Sequence, residues 1–395
     1  MSAVVVFIIF AICLIIAIPI SISLGIVAVL PGAFDASFTA SAGYVIRSMV
    51  GGIDSFPLLA VPMFVLAGIL MAHGKISEKL FDVFVYFLGN KRAGIPCAVI
   101  ITCLFYGAIS GSAPATVAAV GSMTIPLLIE LGYEKDFSTA IVAVAGGLGV
   151  IIPPSIPFIM YAMATGESVS DLFLAGIVPG MMISALLIFY AYYYCRRHGE
   201  DREKIQAKMD QLKTKGFVNI LKESIWALLS PVIVLGCIYS GVASPTEAAV
   251  ISVFYSLFVS LFIYKSIKVK QIWGIMVEAM KTYAPILFIL ATSTAFSRVL
   301  TLMQVPQDVS AWIMTHFSNE IVLLLVINVV LLIVGMVMDT TPAILILSPI
   351  LLPIVEHVGM NPIHFGVMVI VNLAVGFVTP PVGVNLFVAS SLTNV

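Results

Sequence analysis

Long apolar stretches alternate with short polar ones along most of the chain: 3 to 30, 53 to 73, 137 to 165, 172 to 195, 225 to 243, 246 to 264, 273 to 298 and 363 to 391. A helix needs about 20 apolar residues to cross a bilayer, so each stretch predicts a span. The first has no basic segment before it, is too long for a signal sequence and shows no small-residue cleavage site, so it reads as a retained span. Two further regions are apolar but interrupted at mid-length. They predict hairpins of half-helices, 94–109 with 117–131 around Ser110-Gly111-Ser112-Ala113-Pro114, and 320–338 with 344–357 around Asp339-Thr340-Thr341-Pro342. Half-helices of about 15 residues are too short to span comfortably, so both are expected to be re-entrant.

Composition closes off other classes. The 395 residues are 61% hydrophobic and only 10% charged, against about 25% charged in soluble domains, which excludes a soluble enzyme. A net charge of −1 offers no basic surface for nucleic acid. Cys13, Cys97, Cys103, Cys195 and Cys237 lie in or beside apolar runs without a CxxC or zinc spacing, and read as packing thiols. The one long polar linker, Arg196 to Lys222, carries eight Lys or Arg and belongs in the cytoplasm by the positive-inside rule. Counting spans outward from it leaves sixteen basic residues inside and one, Arg47, outside.

The chain also repeats itself. Pro126, Gly132, Gly149, Pro153 and Pro154 recur as Pro353, Gly359, Gly376, Pro380 and Pro381 at an offset of 227, while Pro57 and Pro114 match Pro285 and Pro342 at 228. The charge count puts the polar segment of the first copy (74–92) in the cytoplasm and that of the second (299–319) outside. The copies are therefore expected to be inverted, an arrangement that marks secondary transporters with sites near the midplane. Each copy orders its parts alike: an amphipathic arm (Lys75 to Gly89, Pro306 to Phe317), a hairpin, then a span broken at Pro-Pro. The expected fold is an all-α polytopic membrane protein of inverted-topology repeats with two re-entrant hairpins and two broken helices. Its divisions are 1–73 N-terminal scaffold, 74–93 arm, 94–171 first transport repeat, 172–298 scaffold with cytoplasmic loop 196–222, 299–319 second arm and 320–395 second transport repeat.

Proline removes a backbone donor and glycine tolerates unwinding, so each Pro-Pro site should free carbonyls, which lipid tolerates only around an enclosed polar cavity or ion site. With the hydroxyls of Ser110, Ser112, Thr116, Ser155, Thr340, Thr341 and Thr379 they make hard oxygen cages suited to Na⁺. By position, the candidate Na⁺ ligands are Ser110, Gly111, Ser112, Gly147, Gly149, Ile152 and Pro153 in the first copy. In the second they are Asp339, Thr340, Thr341, Gly376, Val378, Thr379 and Pro381. No other metal and no organic cofactor is expected. The positive N-terminal ends of the second half-helices favour a carboxylate. Candidate substrate contacts are Ala113, Pro114, Ala115, Thr116, Ser155, Pro342, Gly383 and Asn385, with Arg298. Arg298 lies late in an apolar span, where it either grips a carboxylate or snorkels outward. Glu247 in Ser244-Pro245-Thr246-Glu247 fits a helix start capped by Ser244, and Asp54 sits near another. His73 and the other histidines show no partner pattern.

Five segments carry a family resemblance: Gly52-Ile53-Asp54-Ser55-Phe56-Pro57-Leu58-Leu59-Ala60-Val61-Pro62-Met63-Phe64, Gly107-Ala108-Ile109-Ser110-Gly111-Ser112-Ala113, Ile152-Pro153-Pro154-Ser155-Ile156-Pro157, Ser244-Pro245-Thr246-Glu247-Ala248-Ala249 and Thr379-Pro380-Pro381-Val382-Gly383. Over essentially its whole length the chain resembles the large, DctM-like membrane subunit of tripartite ATP-independent periplasmic (TRAP) transporters. The resemblance implies an elevator-type carrier of the ion-transporter superfamily in the bacterial inner membrane, driven by a Na⁺ gradient without ATP. It also implies a small four-helix membrane subunit and a periplasmic substrate-binding protein. No four-helix segment precedes the first repeat, so the small subunit is expected as a separate chain. The chain stops at Asn394-Val395, which leaves open a further terminal span. Ala113-Pro114-Ala115-Thr116 stands where a dicarboxylate-type member is expected to be more acidic, which shifts the expected organic acid from a C4-dicarboxylate toward an acidic sugar such as sialic acid. The alternative is a stand-alone Na⁺-coupled dicarboxylate carrier without a binding protein. An intramembrane enzyme lacks support, because HExxH, GxSxG and Walker A motifs are absent. Two broken-helix sites favour alternating access over an open pore.

Overall fold

The computed structural model describes residues 2–35, 38–214, 216–316 and 319–393. Outside these lie Phe317 at the end of the expected second arm, Lys215 of the linker and Asn394-Val395. Among the described residues the chain forms twenty α-helices: α1 (Ala3–Ile15), α2 (Ile20–Phe34), α3 (Ala42–Ile53), α4 (Ala60–His73), α5 (Ile76–Leu88), α6 (Gly94–Ser110), α7 (Ala113–Glu130), α8 (Lys135–Gly146), α9 (Leu148–Ile151) and α10 (Ile156–Thr165), followed by α11 (Val169–His198), α12 (Arg202–Thr214), α13 (Phe217–Tyr239), α14 (Pro245–Phe258), α15 (Val269–Leu302), α16 (Val305–His316), α17 (Glu320–Val337), α18 (Thr340–His357), α19 (Pro362–Gly376) and α20 (Val384–Thr393). Eight helical segments are long and apolar enough to cross a membrane, and the bent pair formed by α8–α9 and α10 makes a ninth. The chain is a multi-pass membrane protein.

Two sequence expectations change. The stretch 3 to 30 is two short helices rather than one span, because the chain turns at Ala17 (φ 62°) and Pro19 offers no N–H to continue α1. Two hairpin helices are longer than the expected half-helices: α7 and α18 have 18 residues each and, like α17, suffice for a crossing. The gain comes at the N-terminal ends. Pro114 and Pro342 lie in first turns, where the missing N–H has no intrahelical acceptor to lose, so α7 and α18 begin at Ala113 and Thr340. Asp54, the C-cap of α3, also sits two residues before the helical turn that opens at Phe56 and leads into α4, near a helix start as expected. The polar linker is mostly helical; on α12 Ile205, Met209 and Leu212, one helical stripe, are buried.

Two groups of helices emerge from the packing. In one, α15 lies against α2, α3 and α4, α14 packs on α4 and α13, and α13 on α5. Ser244 caps α14 and Glu247 accepts back from its N–H, the capping box that the spacing predicts. In the other, α6, α7 and α8 pack mutually, α17 and α18 pack on α19, and the two hairpin regions interlock: α10 lies on α18, and α20 on α7 and α8. Sequence position groups α11 with the scaffold, yet its neighbours are α6, α8, α9, α10 and α19. Its outer face, with Leu174, Val178, Met182, Leu186 and Phe189 exposed, is apolar as a lipid-facing surface must be.

Candidate functional site

The first Pro-Pro break lies between α9 and α10. Ile152, Pro153, Pro154 and Ser155 are all buried, and the bond joining the prolines is cis. Ser155 caps α10: its hydroxyl donates to Val150 O at 2.6 Å and accepts from Phe158 N–H at 3.4 Å. The first tip reaches this break directly. Ile156 N–H donates to Gly111 O at 3.2 Å, and Gly111 takes φ 62°, a conformation glycine enters without steric penalty. Within the tip the Ser110 and Thr116 hydroxyls lie 2.9 Å apart, and both donate to Ser112 O, at 3.3 and 2.8 Å.

The second break, between α19 and α20, is built alike and finished differently. Val382 N–H donates to Met336 O at 3.2 Å, again joining break to hairpin. Here Pro380, Pro381 and Val382 are exposed, and this Pro-Pro bond is also cis. The tip carries a carboxylate in place of a hydroxyl network. Asp339 caps α18, accepting from Thr340 N–H at 2.7 Å and from its hydroxyl at 3.4 Å. Asp339 itself is exposed, while Thr340, Thr341 and Pro342 are buried. Thr379 turns its hydroxyl back to Val375 O at 2.7 Å, and Val378 is half-buried.

Two glycine seams hold each hairpin to its broken span. A Cβ on Gly107 of α6 would lie 2.6 Å from Gly149 Cα, and one on Gly376 would lie 2.3 Å from Gly335 C of α17. These pairs occupy corresponding places in the two copies. Gly149 also brings α9 against Thr116 Oγ1 and Ser112 O, at 2.5 and 2.8 Å from an added Cβ. The two copies meet where Ala113, Val150, Ile151, Ala374 and Phe377 form one buried cluster. Gly147 lies beside Ala374 O there. Asn385 is fully buried and donates to Ala143 O of α8 at 3.0 Å; its Oδ1 is a buried acceptor without a partner. Gly383, at φ 56°, precedes it.

Not all predicted contacts converge. Arg298 lies on an exposed part of α15, at a cavity of about 290 Å³ lined also by Gly51, Gly52, Thr294, Ser297, Leu345 and Pro349. Neither tip nor either break lines that cavity. Pro114 and Ala115, half-buried and exposed, follow the first tip. Sequence reasoning overlooked Gly335, whose role becomes visible only beside Gly376, and the amide pair Asn328–Asn372. It gave His73 no partner, whereas His73 Nε2 lies 2.9 Å from Glu278 Oε2 of α15. Gly176 and Gly180 are close-packing residues of α11. They carry α11 onto the first break, with Ile151 O 2.7 Å and Ile152 Cδ1 2.2 Å from their added Cβ atoms. The five cysteines are free, and Cys13, Cys103 and Cys195 are buried.

The first comparison is of fold alone. The structure is similar to that of the YdaH transporter of Alcanivorax borkumensis, with a TM-score of 0.63 over 94% of this chain and 90% of that one at 14% identity. The family follows from sequence: the model of the tripartite ATP-independent periplasmic transporter, DctM component, matches residues 7–395, and the chain belongs to that family of transporter permeases. It is 44% identical over 98% of its length to the isethionate TRAP transporter permease protein DctMQ of Oleidesulfovibrio alaskensis, and spans 60% of that longer protein. It is 40% identical to the C4-dicarboxylate TRAP transporter large permease DctM of Pseudomonas aeruginosa, covering 86% of this chain and 78% of that one. To the 2,3-diketo-L-gulonate TRAP transporter large permease YiaN of Escherichia coli it is 38% identical, over 88% and 80% of the two chains.

Proposed function

We propose that this chain is the carrier subunit of a Na⁺-coupled importer of a small organic anion. The relatives are named for isethionate, C4-dicarboxylates and 2,3-diketo-L-gulonate, all small organic anions. In this reading the two copies are inverted repeats, and the tips with the broken spans form a unit that moves as an elevator against the frame of α1–α4 and α13–α15. The packing of α11 on α6, α9 and α19 supports counting it with the moving unit. The carrying observation is the pair of hairpin-to-break hydrogen bonds, Ile156 N–H to Gly111 O and Val382 N–H to Met336 O. They fasten irregular backbone beside helix N-termini, the setting in which carriers hold ions and carboxylates. Tip hydroxyls, freed carbonyls, Asp339 and the unspent oxygen of Asn385 suit a hard cation. The substrate's negative group then meets the N-terminal ends of α7 and α18, and Arg298 offers a cation at the edge of the frame.

A periplasmic binding protein delivers the substrate and a small membrane subunit completes the complex in the bacterial inner membrane. The test is uptake into proteoliposomes holding this chain and the small subunit under an inward Na⁺ gradient, with and without the binding protein. Isethionate, succinate and sialic acid are offered. Accumulation needing both Na⁺ and the binding protein is the expected result. Accumulation without the binding protein makes the chain a stand-alone carrier; none under any Na⁺ gradient overturns the reading.

A further inference from the structure

The two hairpins are anchored by different means. α6 is enclosed by α4, α5, α7, α8, α9, α11 and α13, whereas α17 packs mainly on α19 and only lightly on α18. Its contact stripe is Leu323, Ile327, Leu331 and Gly335, four residues apart, and its outer face is wholly apolar. Such a stripe looks nearly the same after sliding one turn, about 5.4 Å. In a bilayer the slide meets no hydrophobic penalty, because lipid is as apolar as leucine.

Two contacts distinguish one register from the next. One is the Gly335–Gly376 approach. The other is polar: Asn372 Nδ2 donates to Asn328 Oδ1 at 2.7 Å and to Met368 O at 2.8 Å, while Asn328 Nδ2 donates to Leu324 O at 2.7 Å. Asn372 is 9% exposed and Asn328 half-buried. At the repeat offsets, the first copy has Ile100 and Ala145 at these positions, both fully buried and apolar. A buried amide pair that would go unpaired after a one-turn slip specifies register as a single core Asn does in a coiled coil.

We propose that Asn328 and Asn372 are positioning residues that lock the register of the second hairpin on its broken span. They thereby hold the Met336–Val382 contact and the Asp339 tip in place. The first copy needs no such lock because its hairpin is held on all sides. The link to ion coupling rests on the function proposed above, so the test has one arm that does not need transport.

In that arm, Met336→Cys with Val382→Cys reports the native register by oxidative cross-linking in membranes, and Leu332→Cys with Val382→Cys reports a register one turn away. Only the first pair is expected to cross-link in the otherwise unchanged chain. With Asn328→Leu and Asn372→Leu together, which leave no amide unpaired, the second pair should also cross-link and the first should slow by about three- to tenfold. Asn372→Ala alone, which leaves α17 untouched, should show the same loss of preference if the double variant misfolds. In uptake, the double variant should raise the half-saturating Na⁺ concentration by about the same factor, with less change in the substrate KM. Native-register cross-linking alone in both variants overturns the proposal. Altered cross-linking in a chain without Na⁺-dependent uptake keeps the lock and overturns the function instead.

Discussion

The two breaks differ most in what covers them. The first is buried under α11, which Gly176 and Gly180 let approach to backbone contact, and its tip spends its hydroxyls on one another. At the second, Pro380 to Val382 and Asp339 of its tip are exposed among the described residues. A similar arrangement of hairpin, glycine seam and Pro-Pro break is thus buried under α11 in the first copy and exposed, among the described residues, in the second. If the copies were functionally equivalent, the same changes in each would have the same effects.

The largest expected contrast is at the glycine seams. Gly107→Ala forces a Cβ to 2.6 Å from Gly149 Cα in a helix held on every side, and should cost about 1–3 kcal/mol as an overpacked site. Gly376→Ala makes a closer clash, 2.3 Å from Gly335 C, yet α17 has room to move away. It should lower thermal stability by less than half as much while impairing uptake at least equally. Melting curves of both purified variants check this, and equal stability losses would break the comparison. Next comes Asp339→Asn. It should raise the half-saturating Na⁺ concentration by about tenfold, the scale of a charge-assisted contact, with little change in melting temperature because the side chain is exposed. Unchanged uptake at limiting Na⁺ would remove Asp339 from the ion site.

A smaller effect is expected on removing the cover. Gly176→Ala meets Ile151 O at 2.7 Å and the Phe158 ring at 2.6 Å, so it should lift α11 and increase maleimide labelling of Ser155→Cys severalfold without changing that of Val382→Cys. Smallest is Ser244→Ala, which removes the cap of α14 away from both breaks. It should cost about 1 kcal/mol in stability and leave the Na⁺ dependence of uptake as it was.

Much of this fold can be read from the chain, for physical reasons that also explain the failures. Proline and glycine act locally, so Pro153-Pro154 and Pro380-Pro381 mark breaks wherever they pack, and Ser244 with Glu247 makes a capping box from four adjacent residues. Hydropathy alone joined α1 to α2, because a single positive-φ residue, Ala17, leaves no trace in an apolar run. It also cut α7 and α18 short, since Pro114 and Pro342 look like breakers until their place in the first turn is known. Partnerships over long separations stayed hidden. Gly335 is ordinary until Gly376 lies against it, Asn372 is one amide in an apolar helix until Asn328 faces it, and the affiliation of α11 depends on tertiary packing rather than on sequence position. Where Arg298 sits, at a cavity with Gly51 and Thr294 from α3 and α15, likewise follows from tertiary packing.

The most direct test of unequal breaks is paired labelling of Ile152→Cys and Val382→Cys in membranes, in a background without Cys97 and Cys237, by a small soluble maleimide with and without Na⁺. The account predicts rapid labelling at Val382 that Na⁺ slows, and almost none at Ile152 under either condition. Equal labelling at both positions, with no effect of Na⁺, would contradict it.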